Sequence, residues 1–206
     1  MSQKRTALIL FAAAIIALLV GVIIGTSAPS GFTQITATQQ ITTTSLATIT
    51  VQAQGQAGFT EYCFSSGYGT TADCAGVLIK YLDQATTSIH VLIYSLTLSE
   101  VTEALVAAKN RGLDVKIVMD STQASYQYSQ YANLRAAGLN VRLSKGAYEM
   151  HDKIAIIDGH IVITGSFNYT ADSNYNNDEN LLVLDSQALA AAYEQEFQVV
   201  WNASPP

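Results

Sequence analysis

Between His151 and Asn180 the chain reads HDKIAIIDGHIVITGSFNYTADSNYNNDEN. His151 and Lys153 stand two residues apart, and in extended backbone residues i and i+2 project to the same side. A neutral imidazole is a nucleophile and a proton carrier, and a fixed ammonium neutralises an anionic oxygen, so the pair suits attack on a phosphate. Downstream, Gly165-Ser166-Phe167-Asn168 offers a hydroxyl, an amide and backbone N–H groups to the remaining phosphoryl oxygens. A lone His-x-Lys says little, because a strand start often carries such residues on its surface. The whole string, with Asp158, the Gly-Ser-x-Asn turn and Glu179, says more.

Two strands must hold these groups. Lys153–Ile157 and Ile161–Thr164 read as buried strands joined by a turn at Asp158-Gly159. The flanking chain alternates helix and strand. Gly76–Ala85 reads as a helix, and Ser88–Leu96 as a strand whose His90 is a packed residue rather than a ligand. A helix follows from Ser99, its expected N-cap, to Arg111-Gly112. Val115–Met119 is a strand, Tyr126–Ala137 a helix stopped by Gly138, and Asn140–Leu143 a strand. Asn180–Leu184 forms a last strand and Ser186–Trp201 a closing helix. This order predicts one α/β domain over residues 59–206, a mixed β-sheet flanked by helices. The run SYQYSQY, Ser125–Tyr131, is either an exposed helix start or a surface for a substrate's bases or sugars.

Ahead of that domain the material changes. Lys4 and Arg5 precede the uncharged run Ala7–Ile24, ALILFAAAIIALLVGVII. As a helix it would be about 27 Å long, close to the hydrocarbon thickness of a bilayer. Residues 1–28 therefore read as a signal-anchor or signal peptide that directs the rest of the chain out of the cytoplasm. Residues 29–58, rich in Thr and Gln and without charge, read as a flexible spacer with room for one short strand. Cys63 and Cys74 are the only cysteines. Behind an export segment they are candidates for one disulfide, contributing at most about 3 kcal/mol.

The spacing His151, Lys153, four residues, Asp158, six residues, Gly165-Ser166 and Asn168 resembles the signature of the phospholipase D superfamily. In its Gly-Ser-Phe-Asn form it is similar to the single-motif endonucleases of that superfamily. The likeness runs from about Phe59 to Trp201 and includes YSLTLSEVTEALVAAKNRGLDVKIVMD. It implies the phospholipase D/nuclease fold, a catalytic His151, and phosphate binding by Lys153, Ser166 and Asn168. It also implies that Glu179 takes a hydrogen bond from the ring's far nitrogen, that Asp158 and Gly165 are structural, and that no metal or cofactor takes part. Displacement at a phosphodiester needs one group to attack and another to protonate the leaving oxygen. Neither His90 nor His160 is followed by a lysine two residues on, so one chain supplies one His151. The resemblance implies that a homodimer supplies the second.

Substrate is less legible. Residues 59–206 carry eight Lys and Arg against sixteen Asp and Glu, a net of −8, where a strong nonspecific DNA binder is basic. The readings are an endonuclease on DNA or RNA, a phospholipase on a cardiolipin-like lipid favoured by the membrane segment 7–24, and a non-catalytic phosphate-binding module.

Overall fold

The computed structural model describes residues 22–23, 35–39, 47–51, 58–65 and 72–205, which fall in two units, Met1–Gln56 and Ala57–Pro206. In the first, three short strands pair antiparallel in sequence order: β1 (Val22–Ile23), β2 (Ile35–Gln39) and β3 (Ala47–Val51). β2 and β3 come from the stretch expected to be a spacer, where Ile, Val and Thr, branched at Cβ, favour extended backbone. Val22 and Ile23, the end of the apolar run, are strand rather than helix; the remainder of that run lies outside the described residues. Among the described residues no helix is long and apolar enough to cross a membrane.

The second unit is built on seven strands: β4 (Gly58–Ser65), β5 (Ser88–Ile93), β6 (Asp114–Met119), β7 (Asn140–Leu143), β8 (Lys153–Ile157), β9 (Ile161–Gly165) and β10 (Glu179–Asp185). Their order is β4-β10-β9-β8-β5-β6-β7. β5, β6 and β7 run parallel, and β8, β9, β10 and β4 follow with every pairing antiparallel. The helices are α1 (Cys74–Gln84), α2 (Ser99–Asn110), α3 (Ser121–Ala124), α4 (Tyr131–Ala136), α5 (Ala171–Tyr175) and α6 (Gln187–Ala203). Leu78 and Leu82 of α1, Val101 and Leu105 of α2 and Leu134 of α4 pack on one face, over Val91, Ile93 and Ile117. On the other face Ala190, Phe197 and Trp201 of α6 pack over Leu92, Val118, Ile154, Ile156 and Val162. Strands buried on both faces need unbroken apolar runs, which is why KIAII and VLI carry no alternation.

Four local readings differ from the sequence-based ones. β4 is an additional edge strand, joined to α1 by a Cys63–Cys74 disulfide with Cα atoms 5.4 Å apart. The expected helix Tyr126–Ala137 is broken: α3 ends where the Ser125 hydroxyl donates to Thr122 O at 2.7 Å, and Gln130 N donates to Leu96 O at 3.0 Å before α4 begins. Local Ser side-chain bonds and a tertiary backbone bond outcompete helix there. Ser99 is the first residue of α2 rather than its cap; Leu98 precedes it, and the Ser99 hydroxyl turns to Glu100. The short helix α5, capped by the Thr170 hydroxyl, was not legible from periodicity.

Candidate active site

The hairpin β8–β9 sets the geometry. Its turn has positive φ at both Asp158 (52°) and Gly159 (69°), the conformation that matches the twist of adjoining strands. The Asp158 carboxylate turns back and accepts five hydrogen bonds of 2.7–3.0 Å, from the backbone N–H groups of Thr86, Thr87 and Ser88 and the hydroxyls of Thr86 and Thr87. Burial alone would raise its pKa, but these donors outweigh it and hold the carboxyl well below the usual carboxylate range. Asp158 therefore ties the hairpin to the start of β5.

At the hairpin's other end lie the groups that the sequence singled out. Lys153, the first residue of β8, is buried, and His151, two residues before it, is exposed. The Lys153 Nζ lies 2.9 Å from His151 Nδ1 and donates to His151 O at 2.6 Å. Both groups rest on Tyr94, just beyond β5: the Tyr94 and His151 rings are 4.4 Å apart, and Lys153 Nζ is 4.8 Å from the Tyr94 centroid. Tyr94 is held in turn. Its N–H donates to Asp152 O at 2.8 Å, its hydroxyl donates to Glu149 at 3.1 Å, and Gln123 donates to that hydroxyl at 3.0 Å. Burial lowers the pKa of Lys153, against the opposing charges of Asp152, Glu179 and Glu149. Burial likewise raises that of Asp152, against Lys153 and His151. An ammonium only donates, so while Lys153 is charged His151 Nδ1 accepts and the ring proton sits on Nε2.

β9 brings in the second half. Lys153 is one residue beyond the Ile154–Thr164 pair, across from Gly165, and His151, Lys153 and Gly165 line one groove of ≈ 400 Å³ with Ala192, Tyr193 and Glu196 of α6. Gly165 has φ +147°, and a Cβ there would lie 2.2 Å from Asn180 O, so no other residue fits. In Gly165-Ser166-Phe167-Asn168-Tyr169 the two aromatic rings are buried anchors. Ser166 is exposed ahead of them, and Asn168 lies between them with its Oδ1 buried and no hydrogen-bond partner among the described residues. Such an orphaned acceptor suits a ligand that brings a donor.

The structure brings His151, Lys153, Gly165, Ser166 and Asn168 to one end of the sheet. It places Glu179 differently from the expectation. Glu179 accepts from Ser166 Oγ, from Ser173 Oγ at 3.4 Å and from Asn177 Nδ2 at 3.3 Å; no hydrogen bond joins it to the His151 ring of the same chain. Its position at the start of β10, beside the Gly-Ser turn, aims it at Ser166. Cys63 and Cys74 lie outside the site. His90 is packed, stacked on Phe197 with its Nδ1 2.9 Å from Glu194.

Sequence reasoning missed Tyr94 and its holders, Glu149 and Gln123. One signal was available: Tyr94 follows the last residues of a parallel strand, where ligand sites of α/β sheets gather. Beside Asn168 a second cleft of ≈ 480 Å³ is lined by Tyr94, Thr97, Gln123, Tyr128, Ser173 and Asn177. Its lining is mostly hydroxyl- and amide-bearing side chains with one carboxylate, Asp172, and it takes in one tyrosine of the SYQYSQY run.

Comparison with known proteins follows the same outline. The family described as "Cardiolipin synthase, PLD-like domain" matches residues 78–201. A Chlamydomonas reinhardtii protein named mitochondrial cardiolipin hydrolase is 34% identical over 135 residues, 66% of this chain and 60% of its own length. A Rickettsia conorii phospholipase D is 33% identical over 65% of this chain and 66% of its length. The chain spans about three-fifths of the length of the first of these relatives. Among solved structures, Nuc, a phospholipase D family member from Salmonella typhimurium, is similar with a TM-score of 0.63 and 34% identity, covering 70% of this chain and 97% of that one. NucT from Helicobacter pylori is similar with a TM-score of 0.60 and 28% identity, over 64% of this chain and 89% of the other.

Proposed function

Because this chain belongs to the phospholipase D superfamily, we propose that it is a metal-independent phosphodiesterase, an endonuclease that cuts DNA or RNA through a phosphohistidine in a site shared by two copies. The observation that carries the reading is the contact between His151 and Lys153 at the mouth of an open groove, with Gly165 across from them. A phosphodiester entering the groove draws the Lys153 ammonium to its oxygens and so frees Nδ1 to hold the ring proton. Nε2 then attacks phosphorus, forming the P–N bond as the P–O bond to the leaving oxygen breaks. The partner's His151 protonates that oxygen and afterwards takes a proton from the water that hydrolyses the phosphohistidine. Ser166, Asn168 and both lysines hold the charge that builds on the equatorial oxygens. Glu179, free of its own chain's ring, is assigned to the ring of the partner's His151, where a carboxylate fixes the tautomer.

The polar cleft beside Asn168 favours nucleic acid, because sugars and base edges match its amides and hydroxyls and Tyr128 offers a stacking face. A second reading is hydrolysis of a cardiolipin-like phospholipid. It draws support from relatives named cardiolipin hydrolase and phospholipase D, and from an apolar segment that suits a membrane tether with the catalytic unit outside the cytoplasm. The test is incubation of the full chain with EDTA and, separately, plasmid DNA, RNA and cardiolipin vesicles. Cleavage of nucleic acid with vesicles intact is expected; the reverse result selects the lipid reading, and activity on none removes both. Mixing wild-type with equal His151→Ala chains should reduce activity per wild-type chain to about half, the value for random symmetric dimers.

A further inference from the structure

The short helix α5 lies in sequence between the Gly-Ser turn and Glu179, and a helix of five residues has no stability of its own. Its only buried side chains are Ser173 and Asn174, 1% and 3% exposed, so polar contacts rather than apolar packing fix it to the unit. The two side chains reach in different directions. The Ser173 hydroxyl donates to Glu179 Oε1 at 3.4 Å, and Asn177, just past the helix, donates to the same oxygen at 3.3 Å. Asn174 turns the other way, to the start of α1. Its Oδ1 accepts from the Ala75 N–H at 2.9 Å, and its Nδ2 donates to the Asp73 carboxylate at 3.0 Å. An apolar side chain of that size would be buried at less cost, but only directional bonds fix how a short helix is turned.

The corner that Asn174 grips is itself cross-linked. Asp73 caps α1 by accepting from the Gly76 N–H at 2.9 Å. Cys74, between the two residues that Asn174 bonds, is fully buried in the disulfide to Cys63 of β4. β4 then holds the same segment from its other end. Ser65, two residues past Cys63, pairs with Glu179, and its hydroxyl donates to Asn177 O at 3.2 Å. The disulfide thus joins two elements that both hold residues 174–179, the stretch that ends on the carboxylate facing Ser166 Oγ.

Resting on the role given to Glu179 above, we infer that Asn174 is a positioning residue for the reaction. It locks α5 to the disulfide-bonded corner of β4 and α1, and through Ser173 and Asn177 it holds the Glu179 carboxylate at Ser166 and within the catalytic set. Without its two bonds α5 turns, both donors leave Glu179, and the carboxylate swings off its place. No group that meets the phosphate is lost, so the effect falls on kcat and not on KM.

The test breaks and then restores one hydrogen bond in the full chain. Asn174→Asp sets a second carboxylate against Asp73. Asp73→Asn combined with Asn174→Asp exchanges donor and acceptor and restores the pair. With whichever of plasmid DNA, RNA and cardiolipin vesicles the wild type cleaves, Asn174→Asp should lower kcat by about 10- to 100-fold at unchanged KM, the scale of a small misplacement in a catalytic set. The exchanged pair should recover most of that loss. In a Glu179→Gln chain, Asn174→Asp should lower kcat no further, because residues that act through one contact are not additive. A residue that only stabilises the fold would move the thermal midpoint and multiply its loss with that of Glu179→Gln. Wild-type kcat in Asn174→Asp, an exchanged pair that regains the midpoint but not kcat, or losses that multiply overturn the proposal. Hydrogen exchange across residues 166–180 reads the same geometry without a substrate: it should quicken in Asn174→Asp and slow again in the exchanged pair. That result in a chain that cleaves nothing upholds the placement of Glu179 by Asn174 and removes the phosphodiesterase reading. Exchange that stays at the wild-type rate in Asn174→Asp overturns the placement whatever the activity.

Discussion

The two ends of the β8–β9 hairpin hold polar side chains in opposite states. At the turn, Asp158 faces five donors within 3.0 Å, and its charge is fully answered inside the chain. At the open end, Lys153 is buried against the ring nitrogen and the carbonyl of His151, and Asn168 Oδ1 has no partner among the described residues. A saturated group stabilises a fold. A group left short of partners costs stability and is retained where a ligand completes it. The contrast marks the open end as the chemical one without appeal to residue type. It also predicts that substitutions at the two ends will separate activity from stability.

The largest effect belongs to His151→Ala. Loss of the attacking nitrogen should reduce turnover by at least about 10⁴-fold, while the thermal midpoint stays put because the ring is exposed. Equal losses of activity and of midpoint would mean that His151 is structural. Lys153→Met comes next, with a loss of about 10²–10³-fold in turnover for one phosphate-neutralising group. Its stability should not fall. Burial lowers the Lys153 pKa in the folded chain, so the folded state binds this proton less tightly than the unfolded one. The wild type should then gain stability as pH rises from that lowered value toward about 10.4, and the variant should lack the gain. Chemical denaturation at pH 7 and pH 10 measures both.

Asp158→Ala reverses the pattern. Removing an acceptor that serves five donors should cost about 2–4 kcal/mol of stability. Activity per folded molecule should change little. The carboxyl's pKa is depressed in the folded state, so its contribution is fully present above about pH 4 and fades as pH falls toward the folded value. Wild type and variant should therefore converge in acid. Urea unfolding at pH 7 and at pH 3 checks this, and a gap that widens in acid would contradict the role given to Asp158.

Spacing showed that His151, Lys153, Ser166 and Asn168 belong together, and the structure brings them to one end of the sheet. The hairpin was legible because Asp158-Gly159 tolerates the positive φ that its turn needs. What escaped depends on contacts distant in sequence. β4 is an edge strand whose alternation is broken by a bulge, so GFTEYCFS carries no clean period. The helix expected over Tyr126–Ala137 was undone by Gln130 reaching Leu96. The resemblance implied Glu179 as the histidine's partner, and within its own chain Glu179 accepts from Ser166, Ser173 and Asn177 instead.

Tyr94 gives the smallest expected effect and the sharpest use of the contrast. Its ring supports both His151 and Lys153, but its hydroxyl touches neither; that hydroxyl bonds Glu149 and Gln123. If the open end is arranged by packing rather than by a saturated network, Tyr94→Phe keeps the support and loses only the tether of the ring. The loss of these two hydrogen bonds should lower kcat by about three- to tenfold. KM should hold, because the groups that meet the phosphate remain. Tyr94→Ala, which removes the shelf under the imidazole, should lower kcat much further and let the ring sample unproductive positions. A Tyr94→Phe loss as large as that of Tyr94→Ala would mean that the hydroxyl network does the positioning, and that the open end is held by saturation much as the turn is.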